Sequence, residues 1–186
     1  MAPAPLALYY LPGRGDRLNA GLSLELQTRG CSVVGRETSG EFQRLRFSEQ
    51  VEVIAEDLRT QFWHPEARVV AHSFGAYLFL HAQASLPPFP GRVLLLSPVI
   101  GGSAAPGNGP RFYPPFADRL GELAQAGQLA APTHCEIHVG ALDRQCPLED
   151  LRSFGELMGI PVSVLPGTGH RLGETYVRAV LDRWLA

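Results

Sequence analysis

Short apolar runs alternate with longer amphipathic stretches along the whole chain. "LALYYL" (6–11) is a strand candidate ended by Pro12-Gly13. Leu18, Leu22 and Leu26 then recur at helical spacing, with Gly30 as the stop. "CSVVGR" (31–36) reads as a second strand and is followed by a polar loop. Val51, Ile54, Ala55, Leu58 and Phe62 mark a helix, with Ser48 as its expected N-cap. "ARVVAH" (67–72) is a third strand, "GAYLFLHAQA" (75–84) a buried helix and "GRVLLLSP" (91–98) a fourth strand. A Gly/Pro-rich stretch precedes a helix near 117–127. "HCEIHVGA" (134–141), a helix near 149–158 and "IPVSVLP" (160–166) follow. A last amphipathic segment carries Val177, Val180, Leu181 and Trp184 on one face.

Strands alternating with helices predict an α/β fold with a mostly parallel sheet. The continuous apolar character of strands one, three and four places them under cover on both faces. The fifth strand alternates, with Cys135, Ile137 and Val139 against Glu136 and His138, which fits a place nearer the sheet edge. No internal repeat or second domain is evident, so residues 1–186 are read as one domain.

Composition narrows the function classes. Hydrophobic residues make up 45% and charged residues 18%, ordinary for a globular protein. The formal net charge is −2 and no basic block occurs, which argues against a nucleic-acid partner. The apolar runs are too short to span a bilayer. The N-terminus lacks a basic region ahead of its first strand and is not read as a signal peptide. Cys31, Cys135 and Cys146 are odd in number and far apart, without disulfide or zinc spacing, so a reducing cytoplasm is expected.

One stretch, "VVAHSFGAYLFL" (69–80), interrupts the interior with His72 and Ser73 at a strand-to-helix junction. In a parallel sheet the reactive crevice lies at the carboxyl ends of the strands. Ala71 and Gly75 flank the serine as small residues would in a tight, strained nucleophile turn, and the following helix start brings backbone N–H groups beside it. On this stretch alone, a serine that merely caps a helix fits too. The rest of the chain separates the two readings. Asp143 stands just past the fifth strand, and His170 lies in a Gly-rich loop before the last helix. The order Ser, Asp, His, each at a carboxyl end, matches what a serine nucleophile needs: a base, and an acid to fix the tautomer of that base. Asp118 and Asp150 lie in less suitable places.

With these residues in place, the chain resembles the α/β-hydrolase superfamily over nearly its whole length. "LYYLPGRG", "VVAHSFGAYLFL", "GALDRQCP" and "GTGH" before a final helix carry the resemblance. Ala71 replaces the usual first Gly of the elbow, and Pro12 the usual His before Gly13. The resemblance implies a three-layer fold with an open six-stranded sheet in the order 2-1-3-4-5-6 and helices on both faces. It implies Ser73 as nucleophile, His170 as base and Asp143 as orienting acid. It further implies an oxyanion hole built from the backbone N–H groups of Phe74 and of the Gly13–Arg14 turn, with no metal and no cofactor.

Residues 101–130 fall where the superfamily inserts a lid, and Phe112, Tyr113 and Phe116 are candidates for an apolar acyl pocket. A surface loop with a hydrophobic anchor explains them equally well. Arg14, Arg111 and Arg171 either favour an anionic substrate or stay solvated. Gly13 and Gly15 do not complete a dinucleotide fingerprint, and the "RGD" at 14–16 is read as chance. His64, His81, His134 and His138 lack ligand spacing and are expected to be structural or exposed, and Cys146 to be non-catalytic. Two functions remain open from sequence. One is a serine hydrolase acting on a small acyl ester or thioester. The other is a non-catalytic protein of the same fold that binds a ligand or partner and retains the triad.

Overall fold

A computed structural model describes residues 6–103 and 113–186. Six strands form one sheet in the order β2-β1-β3-β4-β5-β6. They are β1 (Leu6–Leu11), β2 (Cys31–Gly35), β3 (Arg68–His72), β4 (Arg92–Leu96), β5 (His134–Gly140) and β6 (Val162–Leu165). Every neighbouring pair is parallel. The helices are α1 (Gly21–Thr28), α2 (Gly40–Arg44), α3 (Phe47–Gln61), α4 (Phe74–Gln83), α5 (Arg119–Gln125), α6 (Leu148–Met158) and α7 (Glu174–Leu185).

Alternate side chains of the central strands serve two cores, as the pleat requires. Tyr9, Leu11, Val69, Ala71, Val93 and Leu95 face the core closed by α3, α4, α5 and α6. Leu8, Tyr10, Val70, Leu94 and Leu96 face the smaller core under α1 and α7, where Leu181 and Trp184 are buried. Strands β1, β3 and β4 are thus covered on both faces, and β5 lies next to the edge strand β6. All of α4 is buried, because it lies on β1 and β3 and under α3. Its uniform apolarity follows from that position.

Two local expectations are corrected. The polar loop after β2 contains the short helix α2, started by Gly40 and with Glu41 in its first turn. It buries no residue, so no hydrophobic period announces it. Ser48 is not the cap of α3. The helix begins one residue earlier, and the N–H of Arg46 donates to the Glu49 carboxylate at 2.8 Å. That carboxylate, three positions into the helix, supplies the reciprocal half of a capping arrangement.

A buried polar contact ties the β1 side of the sheet to α3. The Tyr9 hydroxyl donates to Asp57 at 2.7 Å, and Arg36 approaches the same carboxylate through two N–H groups at 2.6 Å each. The bidentate geometry fixes both charges in one orientation.

Candidate active site

The turn from β3 into α4 sets the site. Ser73 has φ 52° and ψ −117°, a conformation that L-residues avoid. The surroundings hold it there. Its N–H donates to the Leu96 carbonyl at 3.0 Å, and its own carbonyl accepts from Tyr77 at 3.3 Å and Val99 at 3.2 Å. Gly75 passes so close to β1 that a Cβ would stand 2.2 Å from the Leu11 carbonyl oxygen and 2.5 Å from that of Pro12. No side chain fits there, which gives this glycine its physical reason.

Asp143 and His170 are brought together by the loops that follow β5 and β6. Ala141 N–H donates to Leu165 and Leu142 N–H to Thr168, both at 2.9 Å. Gly140 permits this approach, since a Cβ on it would lie 2.2 Å from the carbonyl oxygens of Thr168 and Gly169. The outcome is a continuous line of hydrogen bonds. Ser73 Oγ lies 2.8 Å from His170 Nε2, and His170 Nδ1 lies 2.9 Å from Asp143 Oδ2 and 3.1 Å from Oδ1. Asp143 is 6% exposed and also accepts N–H bonds from Gln145 at 2.9 Å and Cys146 at 3.0 Å. A carboxylate only accepts, so His170 carries its proton on Nδ1 and offers Nε2 to the Ser73 hydroxyl.

The loop after β1 stands across the crevice from His170. Gly13 and Arg14 line the same cleft as Ser73. Thr38 pins this loop: its hydroxyl donates to the Gly13 carbonyl, and its own carbonyl accepts from Gly15 N–H at 2.9 Å. Phe74 is the first residue of α4, where backbone N–H groups have no intrahelical partner. The Arg14 guanidinium lies over the Phe74 ring, 4.6 Å from its centre. His72 fills the space between Gly13 and His170, its ring centre 5.8 Å from that of His170. Burial first, and then the charge of His170, push His72 down to about 4, so it stays neutral beside His170.

The cleft over Ser73 and His170 has a volume of about 690 Å³. Its apolar wall comes from Tyr10, Leu22, Leu96, Leu172 and Val177. The aromatic residues expected to form a pocket lie elsewhere. Tyr113 is 70% exposed and packs on Gly102. Phe116 is 60% exposed, at φ 57°, beside Phe47 with ring centres 5.9 Å apart. Neither reaches the cleft, because the cleft opens toward α1 and α7 on the other face of the sheet. Phe112 and Arg111, with the rest of 104–112 in the expected lid, lie outside the described residues.

Other candidates settle into structural places. His138 is buried, with its Nδ1 2.7 Å from the Tyr176 hydroxyl. His81 is buried within α4, and His64 and His134 are exposed. Cys146 is buried, and its thiol donates to the Ser97 carbonyl at 3.3 Å. Burial holds that thiol well above the usual thiol range. Among the described residues, one group could offer a metal ligand atoms within 4.8 Å of one another: Asp143, Cys146 and His170. Asp143 and His170 already face each other in the hydrogen-bonded line.

With this geometry in hand, the solved structures can be compared. A monoacylglycerol lipase from Paleococcus ferrophilus superposes with TM-score 0.71 at 15% identity, covering 98% of this chain and 95% of that one. Mouse alpha/beta hydrolase domain-containing protein 10 gives 0.68 at 14%, covering 100% and 90%. Est1E from Butyrivibrio proteoclasticus, solved with ferulic acid, gives 0.68 at 12%, covering 99% and 90%. The chain has the α/β-hydrolase fold. Protein-family models and curated proteins gave no match. Among the described residues, no helix of this α/β-hydrolase fold is long and apolar enough to cross a membrane.

Proposed function

We propose that the chain is a serine hydrolase that cleaves a small ester or thioester through an acyl-enzyme. The observation that carries this reading is the unbroken Ser73–His170–Asp143 line, with its serine held at positive φ on a strand-to-helix turn. A serine used only as a helix cap needs neither the strain nor a histidine at 2.8 Å. That the fold is shared with a lipase and with esterase PE8 agrees with it.

The reaction follows from the arrangement. His170 Nε2 takes the hydroxyl proton as Ser73 Oγ attacks the acyl carbon. Asp143 stabilises the imidazolium and holds its plane. The oxyanion forms beside the first turn of α4, where the Phe74 N–H and one from the Gly13–Arg14 turn would receive it; such a donor is worth about 3 kcal/mol. His170 then gives its proton to the leaving oxygen or sulfur. Water, deprotonated by the same nitrogen, attacks the acyl carbon and releases the acid, and Ser73 regains its proton.

A fluorophosphonate should add to Ser73, identified by mass spectrometry of the labelled peptide, and Ser73→Ala should abolish both labelling and turnover of 4-nitrophenyl esters and acyl thioesters. A folded protein that neither labels at Ser73 nor turns over any member of such a panel would instead be a binding protein of the same fold.

A further inference from the structure

We infer that the substrate is an ester or thioester carrying an uncharged hydroxyl group, which Tyr10 and His72 bind on the floor of the cleft. The inference rests on the serine hydrolase reading and names the substrate class of that site.

The sheet brings the two residues to one place. Tyr10 pairs with Val70 in the parallel register of β1 and β3, and His72 pairs with Leu96 across β3 and β4. Alternation along β3 turns Val70 and His72 to the same face. Tyr10, Val70 and Leu96 belong to the smaller core under α1 and α7. Tyr10, His72 and Leu96 therefore share that face toward the carboxyl ends of three adjacent strands, and all three line the cleft with Ser73 and His170. His72 adjoins the reacting groups. It precedes Ser73, its ring centre is 5.8 Å from that of His170, and a Cβ on Gly13 would stand 3.1 Å from its Nδ1.

The fold leaves the polar atoms of both residues unused. The hydroxyls of Tyr9, Tyr77 and Tyr176 each have a partner at 2.7 Å: Asp57, the Pro115 carbonyl and His138. Tyr10 is 3% exposed, yet among the described residues its hydroxyl has no hydrogen bond, and neither ring nitrogen of His72 has one. Buried polar groups are as a rule hydrogen-bonded. His81 breaks that rule where aromatic rings enclose it, but Tyr10 and His72 border a space of about 690 Å³ that a ligand can enter.

The surroundings select the kind of group. Burial, then the charge of Asp16, holds Tyr10 above the usual phenol range, and burial, then His170, lowers His72 to about 4. The floor thus resists an anion at one residue and a cation at the other, and a charged ligand group would meet the same resistance. A phenol hydroxyl and a neutral imidazole each both donate and accept. A substrate hydroxyl does both in return, whereas a carbonyl or ether oxygen only accepts. The walls beside this floor, from Leu22, Leu172 and Val177, are apolar. Discrimination then falls to the floor, since a site with buried polar groups rejects an analogue that leaves them unpaired.

The test uses isosteric ester pairs on the intact chain, with acid release followed by pH-stat. The 2-hydroxyethyl and 4-hydroxybutyl butyrates against propyl and pentyl butyrate place the hydroxyl on the leaving side. Each enantiomer of ethyl 3-hydroxybutyrate against ethyl 3-methylbutyrate places it on the acyl side. The expected result is a kcat/KM at least about tenfold higher for the hydroxylated member of one or more pairs. Tyr10→Phe and His72→Phe should each cut that ratio by about five- to tenfold. His72→Asn, which keeps a donor and an acceptor, should retain part of it. Each ratio is taken between two substrates of one preparation, so a loss of folded protein does not move it. Turnover with no hydroxyl preference in any pair, or with a preference that both Phe variants preserve, overturns this inference and leaves the hydrolase reading standing. Inertness toward every ester also overturns the inference, and it takes the hydrolase reading with it when Ser73 forms no fluorophosphonate adduct either.

Discussion

His170 and His81 stand in two neighbouring regions built on opposite logic. In the crevice, both ring nitrogens of His170 have partners, Ser73 on one side and Asp143 on the other. Behind it, His81 sits edge-on to Phe47 and Tyr77, with ring centres 4.9 and 4.4 Å away. Its Nε2 is buried and finds no hydrogen-bond partner among the described residues. Burial, then the charge of Arg119, pushes His81 down to about 4. A carboxylate faces one histidine, whereas burial among aromatic rings keeps the other neutral. Residue type does not separate them, but their partners do.

Removing the partner of His170 tests that contrast most severely. Asp143→Asn should lower kcat by about four orders of magnitude while the fold survives, because the amide favours the wrong tautomer. Steady-state kinetics beside a thermal melt measures both. Near-normal turnover would show that the carboxylate is not what distinguishes the two histidines. Next comes the backbone under each region. Gly75→Ala should destabilise by about 3 kcal/mol or more, since its Cβ meets carbonyl oxygens that cannot move independently. Gly121→Ala, in the middle of α5 with open space around it, should be neutral or stabilise by up to about 1 kcal/mol. Urea unfolding of the pair reads the difference, and equal effects would remove the claim that the crevice depends on close backbone approach.

The third experiment concerns acid. His81 and His72 are neutral in the folded chain down to about 4 but take up protons near their ordinary value of 6.5 when unfolded. Between those pH values the unfolded chain binds more protons, so stability is full above about pH 6.5 and is lost as pH falls toward 4. Each group accounts for about 3 kcal/mol of that loss. His81→Phe should make the fall in stability between pH 6.5 and 4 clearly shallower, measured by urea titration at several pH values. An unchanged slope would mean that His81 titrates normally. The smallest effect is expected at Ser97, whose hydroxyl is also buried without a partner among the described residues. Ser97→Ala should change stability by less than about 1 kcal/mol, in either direction, because it deletes a polar group that makes no bond.

Part of this arrangement is legible in the sequence itself. Glycine and proline punctuation marked the strand ends, and the carboxyl ends of parallel strands are where chemistry collects, so Ser73, Asp143 and His170 stood out by position. What stayed hidden depends on contacts between distant segments. Thr38 looks like any loop threonine until it is seen holding Gly13 and Gly15. Gly140 is one glycine among many until the loop after β6 closes on it. Leu22 and Val177 carry the ordinary stripe of amphipathic helices, and nothing in their spacing tells that they border a cleft rather than fill a core. The aromatics at 113 and 116 drew attention by type, yet type says nothing about which face of the sheet a loop will cross.

The positive φ of Ser73 has a consequence for anyone improving this molecule in the laboratory. A left-handed residue with a side chain costs on the order of 1–3 kcal/mol, and glycine relieves most of it. Ser73→Gly would therefore melt a few degrees higher than the parent, at about 2–4 °C per kcal/mol for a chain of this size. A selection for heat resistance alone would be drawn toward replacing the proposed nucleophile. Directed evolution of this scaffold needs a turnover screen in every round, since its hardiest descendants will include inert ones.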